Sequence, residues 1–222
     1  MSTPKLRGGL SLVFIKNIKG EKAMKDFYKA MENRRTIRQL SNEALIPQER
    51  LEEVVSNALK FTPTAFNAQE QRLVLLMDKK HEWFWNLVKS TLKAIVPAEK
   101  FPDSEVRING FLGGVGTILL YQDTSVTKGL QDAFPAYKDN FPIWAMQSTG
   151  MLKYTLWTSL VTEGYGANIQ HYTELVEEQA NKELKIDPAW KMVGQLPFGK
   201  PAQSPDASKT FEPIEKRLIV LK

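Results

Sequence analysis

Apolar residues recur at helical spacing in several blocks of this chain, separated by short runs in which almost every position is apolar. From about Glu21 onward, Met24, Phe27, Tyr28 and Met31 fall on one stripe at a period near 3.6. Leu51, Val54, Val55, Ala58 and Leu59 repeat as one face of an amphipathic helix. Pro47 stands where that helix starts. Thr62-Pro63 ends it, because the residue before a proline is pushed out of the helical region. Residues 72–77 read as a buried strand. Residues 80–95 read as a helix with Trp83, Phe84, Leu87, Val88 and Leu92 inward. Gly113-Gly114 punctuates, and 115–121 is a second strand. Residues 131–143 carry Phe134, Pro135, Tyr137, Phe141 and Pro142 and read as a lid or a partner-contacting connection. A long helix over 145–163 ends at Gly164-Tyr165-Gly166. Residues 168–171 are extended, 173–184 helical, 192–196 a third strand, 197–205 a loop and 217–221 a last strand. Strands alternating with helices predict a layered α+β or α/β domain.

Composition narrows the classes. The 222 residues suffice for one large domain with a core that needs no staples. Residues 1–20 read as an N-terminal extension, with Met24 an alternative start, and 21–222 as the domain. Cysteine is absent, so disulfides and thiolate metal sites are excluded; this suits a reducing compartment, and a cytoplasmic location is expected. The net charge of +5 arises from 30 basic and 25 acidic residues dispersed along the chain. A dispersed excess makes a solvated surface, not a nucleic-acid track, so no nucleic-acid partner is expected. No apolar run reaches the roughly eighteen residues of a membrane span. The apolar stretch 10–15 is shorter than a signal-peptide core and no small-residue cleavage site follows it.

Two short segments carry candidate chemistry. Arg34, Arg35, Thr36 and Arg38 bring three guanidinium groups into five positions. Arg34 and Arg38 share a face whether the segment is helical or extended. Such forks match phosphate oxygens; equally, cations gather at a helix C-terminus to offset its dipole. The turn from Pro63 holds Thr64, Asn67 and Gln69, whose amides can donate and accept along the edge of a planar polar ring, or simply close a turn. Gly113-Gly114-Val115-Gly116 lacks the dinucleotide order and precedes a strand, so it reads as a turn. His81 and His171 lack metal-site spacing; His81 reads as a surface residue and His171 as able to line a site. Carboxylates are scattered with no acid–base pair. A chain so poor in catalytic side chains fits a cofactor that carries the chemistry.

In order, N-R-R-T-I-R, T-P-T-A-F-N-A-Q, G-Y-G-A-N-I-Q-H-Y and G-Q-L-P-F-G-K-P resemble the FMN-dependent nitroreductase family, and most of all its short bacterial and yeast branch. The likeness runs from about residue 24 to the end. It implies a three-layer α+β fold on a mainly antiparallel sheet. It also implies a homodimer, with FMN at the interface and terminal segments crossing to the partner. Arg34, Arg35, Thr36 and Arg38 match the motif holding the phosphate and the pyrimidine side of the ring. Thr64, Asn67 and Gln69 match the motif contributed across the interface. Gln170, His171 and Tyr172 match the segment near flavin N5, and Lys209 a C-terminal basic residue on the phosphate. The basic residue that longer members carry two positions later is Phe211 here. The implied reaction is ping-pong hydride transfer from NADH or NADPH to a nitroaromatic or quinone. The alternative on the same fold is a flavin-binding redox sensor with little turnover.

Overall fold

The computed structural model describes residues 27–205 and 208–222. The N-terminal extension, residues 1–20, and Met24 lie outside the described residues. In chain order the elements are α1 (Phe27–Asn33), β1 (Leu40–Ser41), α2 (Gln48–Phe61), β2 (Gln71–Met77), α3 (Asp78–Ile95), α4 (Phe101–Leu112), β3 (Gly116–Asp123), α5 (Thr124–Ala133), α6 (Asn140–Thr162), β4 (Gly166–Ala167), α7 (Thr173–Leu184) and β5 (Trp190–Pro201). The sheet runs β1-β5-β3-β2, with β4 also on β5, and every one of these pairings is antiparallel.

Strand β3 shows why the fold has three layers. Successive side chains of a strand point to opposite faces. Leu119 and Tyr121 enter a core with Phe84 and Trp85 of α3, Phe111 of α4 and Val176 of α7. Ile118 and Leu120 enter a second core with Leu51 and Val55 of α2 and Leu152 and Leu156 of α6. A strand buried on both faces must be apolar throughout. Each large side chain so buried contributes roughly 1.5–3 kcal/mol.

Several sequence expectations need correcting. The stripe on α1 faces outward: Phe27, Tyr28 and Met31 are exposed and Ala30 is the buried residue. Helix α4 was not anticipated; Phe101, Ile108 and Phe111 bury, but Gly110 and the following glycines mask the pattern. Gly110 is there because a Cβ would lie 2.6 Å from the Arg38 carbonyl oxygen. The segment 131–143, expected to be a lid or a partner-contacting connection, is largely helical: α5 reaches Ala133, a 3-10 turn covers Pro135–Tyr137 and α6 begins at Asn140. Strand β5 runs on to Pro201, through the expected loop; Pro197 sits in it with its carbonyl accepting from Asn168 N at 3.3 Å.

The last strand is missing from the single chain. Ile214–Lys216 is a 3-10 turn, and Leu218 to Leu221 are exposed, Leu221 to 90%. A strand needs a neighbour to satisfy its backbone, and this segment has none among the described residues. His81 is buried, not on the surface. Its Nε2 faces the Leu112 carbonyl at 3.1 Å, which can only accept, so Nε2 carries the proton. Nδ1 then accepts from the Thr117 hydroxyl at 2.9 Å, which itself accepts from the Trp85 indole N–H at 2.8 Å. The histidine is a structural tie between α3, α4 and β3.

Candidate functional site

After α1 the chain is extended over residues 34–39, as β-branched Thr36 and Ile37 favour. Ile37 is buried against Gly166, where a Cβ would lie 2.9 Å from the Ile37 Cβ. Ile37 N donates to Ala167 O at 3.1 Å, and Thr36 forms a parallel bridge with Ala167. Asn168, fully buried, closes the join: its Nδ2 donates to Ile37 O at 2.6 Å. Its Oδ1 accepts from Gln170 Nε2 at 2.7 Å. The arginine segment is thereby zipped to the segment that carries Gln170, His171 and Tyr172.

The arginines fan out from this join. Arg34 stacks its guanidinium over the Trp157 ring of α6, 4.4 Å from the centroid. The Trp157 indole N–H beneath it is buried without a partner among the described residues. Arg35 lines a depression of about 490 Å³ with Asn33, Gly164 and residues 201–205. Arg38 and Arg107 of α4 lie close to the Tyr172 phenol, whose pKa is nonetheless raised because burial outweighs the two cations.

The 170–172 segment is held by its backbone. Gln170 exchanges both backbone hydrogen bonds with Gln195 of β5, at 2.7 and 3.0 Å. Buried Gln195 also accepts from Tyr172 N at 2.9 Å. These bonds leave the His171 N–H as the segment's remaining backbone donor. From the helix layer, Lys153 of α6 donates to Val193 O at 2.7 Å and lies 3.4 Å from His171 Nε2. Burial lowers the Lys153 pKa. Burial, then the Lys153 charge, holds His171 below the ordinary histidine value.

The 64–69 turn lies elsewhere. Thr64 Oγ1 accepts from Gln69 N at 3.0 Å, so this hydroxyl shapes the turn. Phe66, Asn67 and Gln69 all have left-handed φ, of 57°, 52° and 52°. Such strain in residues other than glycine gathers at functional sites. Phe66 stacks on Trp144 near the start of α6, with ring centroids 6.0 Å apart and planes 17° apart. With Met151 and Gln147 they line an open groove of about 460 Å³. Trp144 and Trp157 are thirteen residues apart on one helix, about 20 Å along its axis. One chain thus presents the arginine segment and the amide turn near opposite ends of α6. Lys209 is exposed, with its ammonium over the Phe211 ring at 5.4 Å rather than on the arginines.

A family model, the Nitroreductase family, matches residues 31–200. The chain belongs to the nitroreductase family. It is 35% identical over 190 residues to nitroreductase FRM2 of Saccharomyces cerevisiae, covering 84% of this chain and 93% of that one. Nitroreductase CinD from Lactococcus lactis, solved in complex with chloramphenicol, is 38% identical over 89% of this chain and all of its own, with a TM-score of 0.81. A nitroreductase with bound FMN from Desulfitobacterium hafniense has a TM-score of 0.64 at 16% identity, a likeness of fold alone. The nitroreductase fold of this chain is therefore α+β, as its sequence led one to expect, and the family is one of oxidoreductases.

Four residues around these segments were given no role in the sequence reading: Arg107, Lys153, Asn168 and Gln195. Lys153 did leave a signal, being the one charged residue in the 23-residue α6. Among the described residues, no group of His, Cys, Asp or Glu could hold a metal ion. Nor is any helix there long and apolar enough to cross a membrane.

Proposed function

We propose that the chain is a homodimeric, FMN-dependent oxidoreductase that draws on NADH or NADPH and reduces a nitroaromatic, a quinone or a similar flat acceptor in ping-pong order. The observation that carries this reading is the join between the 34–38 and 170–172 segments. It brings Arg38, with Arg107 of α4, near Tyr172 of a backbone strip that has one donor to spare. That donor set fits FMN, an anionic phosphate on a planar ring with acceptors along its edges. The Trp157 N–H beneath Arg34 is a further donor that no described residue answers.

Arg34, Arg35, Thr36 and Arg38 hold the phosphate and the pyrimidine side, and Arg107 adds charge beside Tyr172. The His171 N–H meets the ring edge, with Gln170 and Tyr172 fixing its direction. Thr64, Asn67 and Gln69 of the partner subunit complete the site, because the same turn in one chain lies about 20 Å away along α6. Lys209 joins the phosphate when the terminal segment is ordered on the partner. Bound FMN supplies reversible hydride chemistry, and no side chain acts as acid or base. Water supplies the protons.

Unanswered surfaces support the dimer. Strand β2 is the edge of the sheet, and edges call for cover. Apolar residues 218–221 have no strand partner among the described residues, and α1 and α6 leave Phe27, Tyr28, Ile143, Met146 and Met151 exposed. Helix α6 is apolar around its circumference, as a helix buried on all sides is. The Lactococcus relative was solved with chloramphenicol and with 4-nitrophenol, which supports a nitroaromatic acceptor here. The absence of cysteine supports a cytoplasmic location. A visible spectrum of the purified protein, bleached anaerobically by NADH or NADPH and restored by acceptor, tests the reading. Protein without flavin absorbance that also fails to bind added FMN overturns it. Flavin that binds but does not turn over points to a sensor instead.

A further inference from the structure

Strand β5 has an irregularity that the cofactor motifs do not explain. Its register with β3 passes from Leu120 opposite Gly194 to Tyr121 opposite Met192, so Val193 is the extra residue of a β-bulge. A bulge leaves its extra residue out of the ladder. The Val193 carbonyl is answered from the helix layer, by the Lys153 ammonium at 2.7 Å. Gly194 makes the room. Its φ of +156° and its lack of a side chain matter here, because a Cβ would lie 3.2 Å from Lys153 Nζ and 3.4 Å from the Gln170 carbonyl oxygen. The same ammonium lies 3.4 Å from His171 Nε2. Bulge, glycine and lysine together deliver one cation to the inner side of His171, at a desolvation cost that α6 bears nowhere else with a charged residue.

An ammonium has three N–H donors and no acceptor. Whatever it faces at hydrogen-bond distance must accept. Val193 O does so, and the His171 nitrogen facing it must be the one bearing the lone pair. The proton of the neutral ring then sits on Nδ1. We propose that Lys153 is a positioning residue for His171: its ammonium fixes the imidazole as the neutral Nδ1–H tautomer and so presents one directed N–H donor to the ligand of the 170–172 segment. Histidine free in water favours the other tautomer, so this state is imposed by the protein. The proposal rests on the flavin reading only for the identity of that ligand.

The chain offers an internal control, because its two histidines are His81 and His171. The Leu112 carbonyl holds His81 as the Nε2–H tautomer. Two-bond proton–nitrogen correlation spectra of the full chain, labelled with 15N-histidine and recorded at pH 8, read both tautomers. The exposed His171→Asn substitution assigns the signals. The expected spectrum shows opposite tautomers, Nε2–H for His81 and Nδ1–H for His171. Lys153→Met converts His171 to mainly Nε2–H and leaves His81 unchanged. An Nε2–H pattern for His171 in the wild type, or an Nδ1–H pattern that survives in Lys153→Met, overturns the proposal. The wild-type spectrum decides it even if the variant does not fold. Flavin absorbance of the same sample is a separate reading: failure to bind FMN removes the proposed cofactor and leaves the tautomer result standing.

Discussion

Replacing Asn168 with alanine perturbs the join on which the site depends. Asn168 is fully buried and its side chain makes two hydrogen bonds, to the Ile37 carbonyl and from the Gln170 amide. The alanine variant strands both partners. An unsatisfied buried polar group costs about 1–3 kcal/mol. The Ile37 carbonyl lies at the upper end of that range, being enclosed. The Gln170 amide lies at the lower end, because its residue is half-buried and water reaches it. The sum is about 4 kcal/mol of stability. With a urea slope of about 3 kcal/mol/M, the unfolding midpoint falls by about 1 M. Urea unfolding at one fixed protein concentration reads this, with the slope unchanged. Asn168→Asp gives a comparable loss, because a carboxylate keeps the Gln170 bond but turns an acceptor toward the Ile37 carbonyl. An alanine variant within about 0.5 kcal/mol of wild type would refute the reasoning, since that is the scatter of ordinary surface changes.

Burial lowers the His81 pKa in the folded state, so the unfolded chain binds the proton more readily. This group's full contribution to stability is therefore present above pH about 6.5 and is lost as pH falls through the folded value. Chemical unfolding between pH 5 and 7.5 should show that slope in wild type and less of it in His81→Phe. Arg34→Ala and Arg38→Ala each remove a charge-assisted contact of about 1.5–3 kcal/mol, so the FMN dissociation constant rises roughly tenfold to a hundredfold. Titration of the apoprotein, followed by flavin fluorescence, measures it, and unchanged affinity in both removes the arginines from the site. Ile219→Asp costs nothing within a single chain, where Ile219 is 82% exposed, but weakens the dimer. Sedimentation should show more monomer, and an unaltered dimer would mean that the terminal segment is not in the interface.

What the sequence revealed followed the range of its patterns. The apolar periods located α2, α3, α7 and the strand pair β2–β3, because their burial is decided by neighbours a few positions away. Helix α4 was hidden because Gly110 and Gly113 serve a close approach to the backbone of Arg38 and Leu40 and look locally like a loop. Residues 217–221 have a strand-like apolar pattern, yet they form no strand among the described residues, because pattern alone cannot supply the neighbour that a strand needs. In the proposed site, the side-chain chemistry of Arg34 to Arg38 and of Asn67 to Gln69 made them candidates, and the ordered resemblance to the family singled them out. Asn168 and Gln195 were given no role. Their bonds reach Ile37 and Tyr172, 131 and 23 positions away, and no local period records such a contact. His81 misled for the same reason, its partners Leu112 and Thr117 lying 31 and 36 positions on.

The central claim is that one cofactor site draws the 34–38 segment from one chain and the 64–69 turn from the other. Subunit mixing tests it directly. One variant carries Arg34→Ala and Arg38→Ala, the other Asn67→Ala and Gln69→Ala, and each alone binds FMN poorly. Unfolded and refolded together in equal amounts, half the dimers are mixed and each mixed dimer has one intact site, so tight FMN binding returns to about a quarter of all sites. No recovery in a mixture shown to contain mixed dimers would contradict the account, because both halves of the site would then lie in one chain.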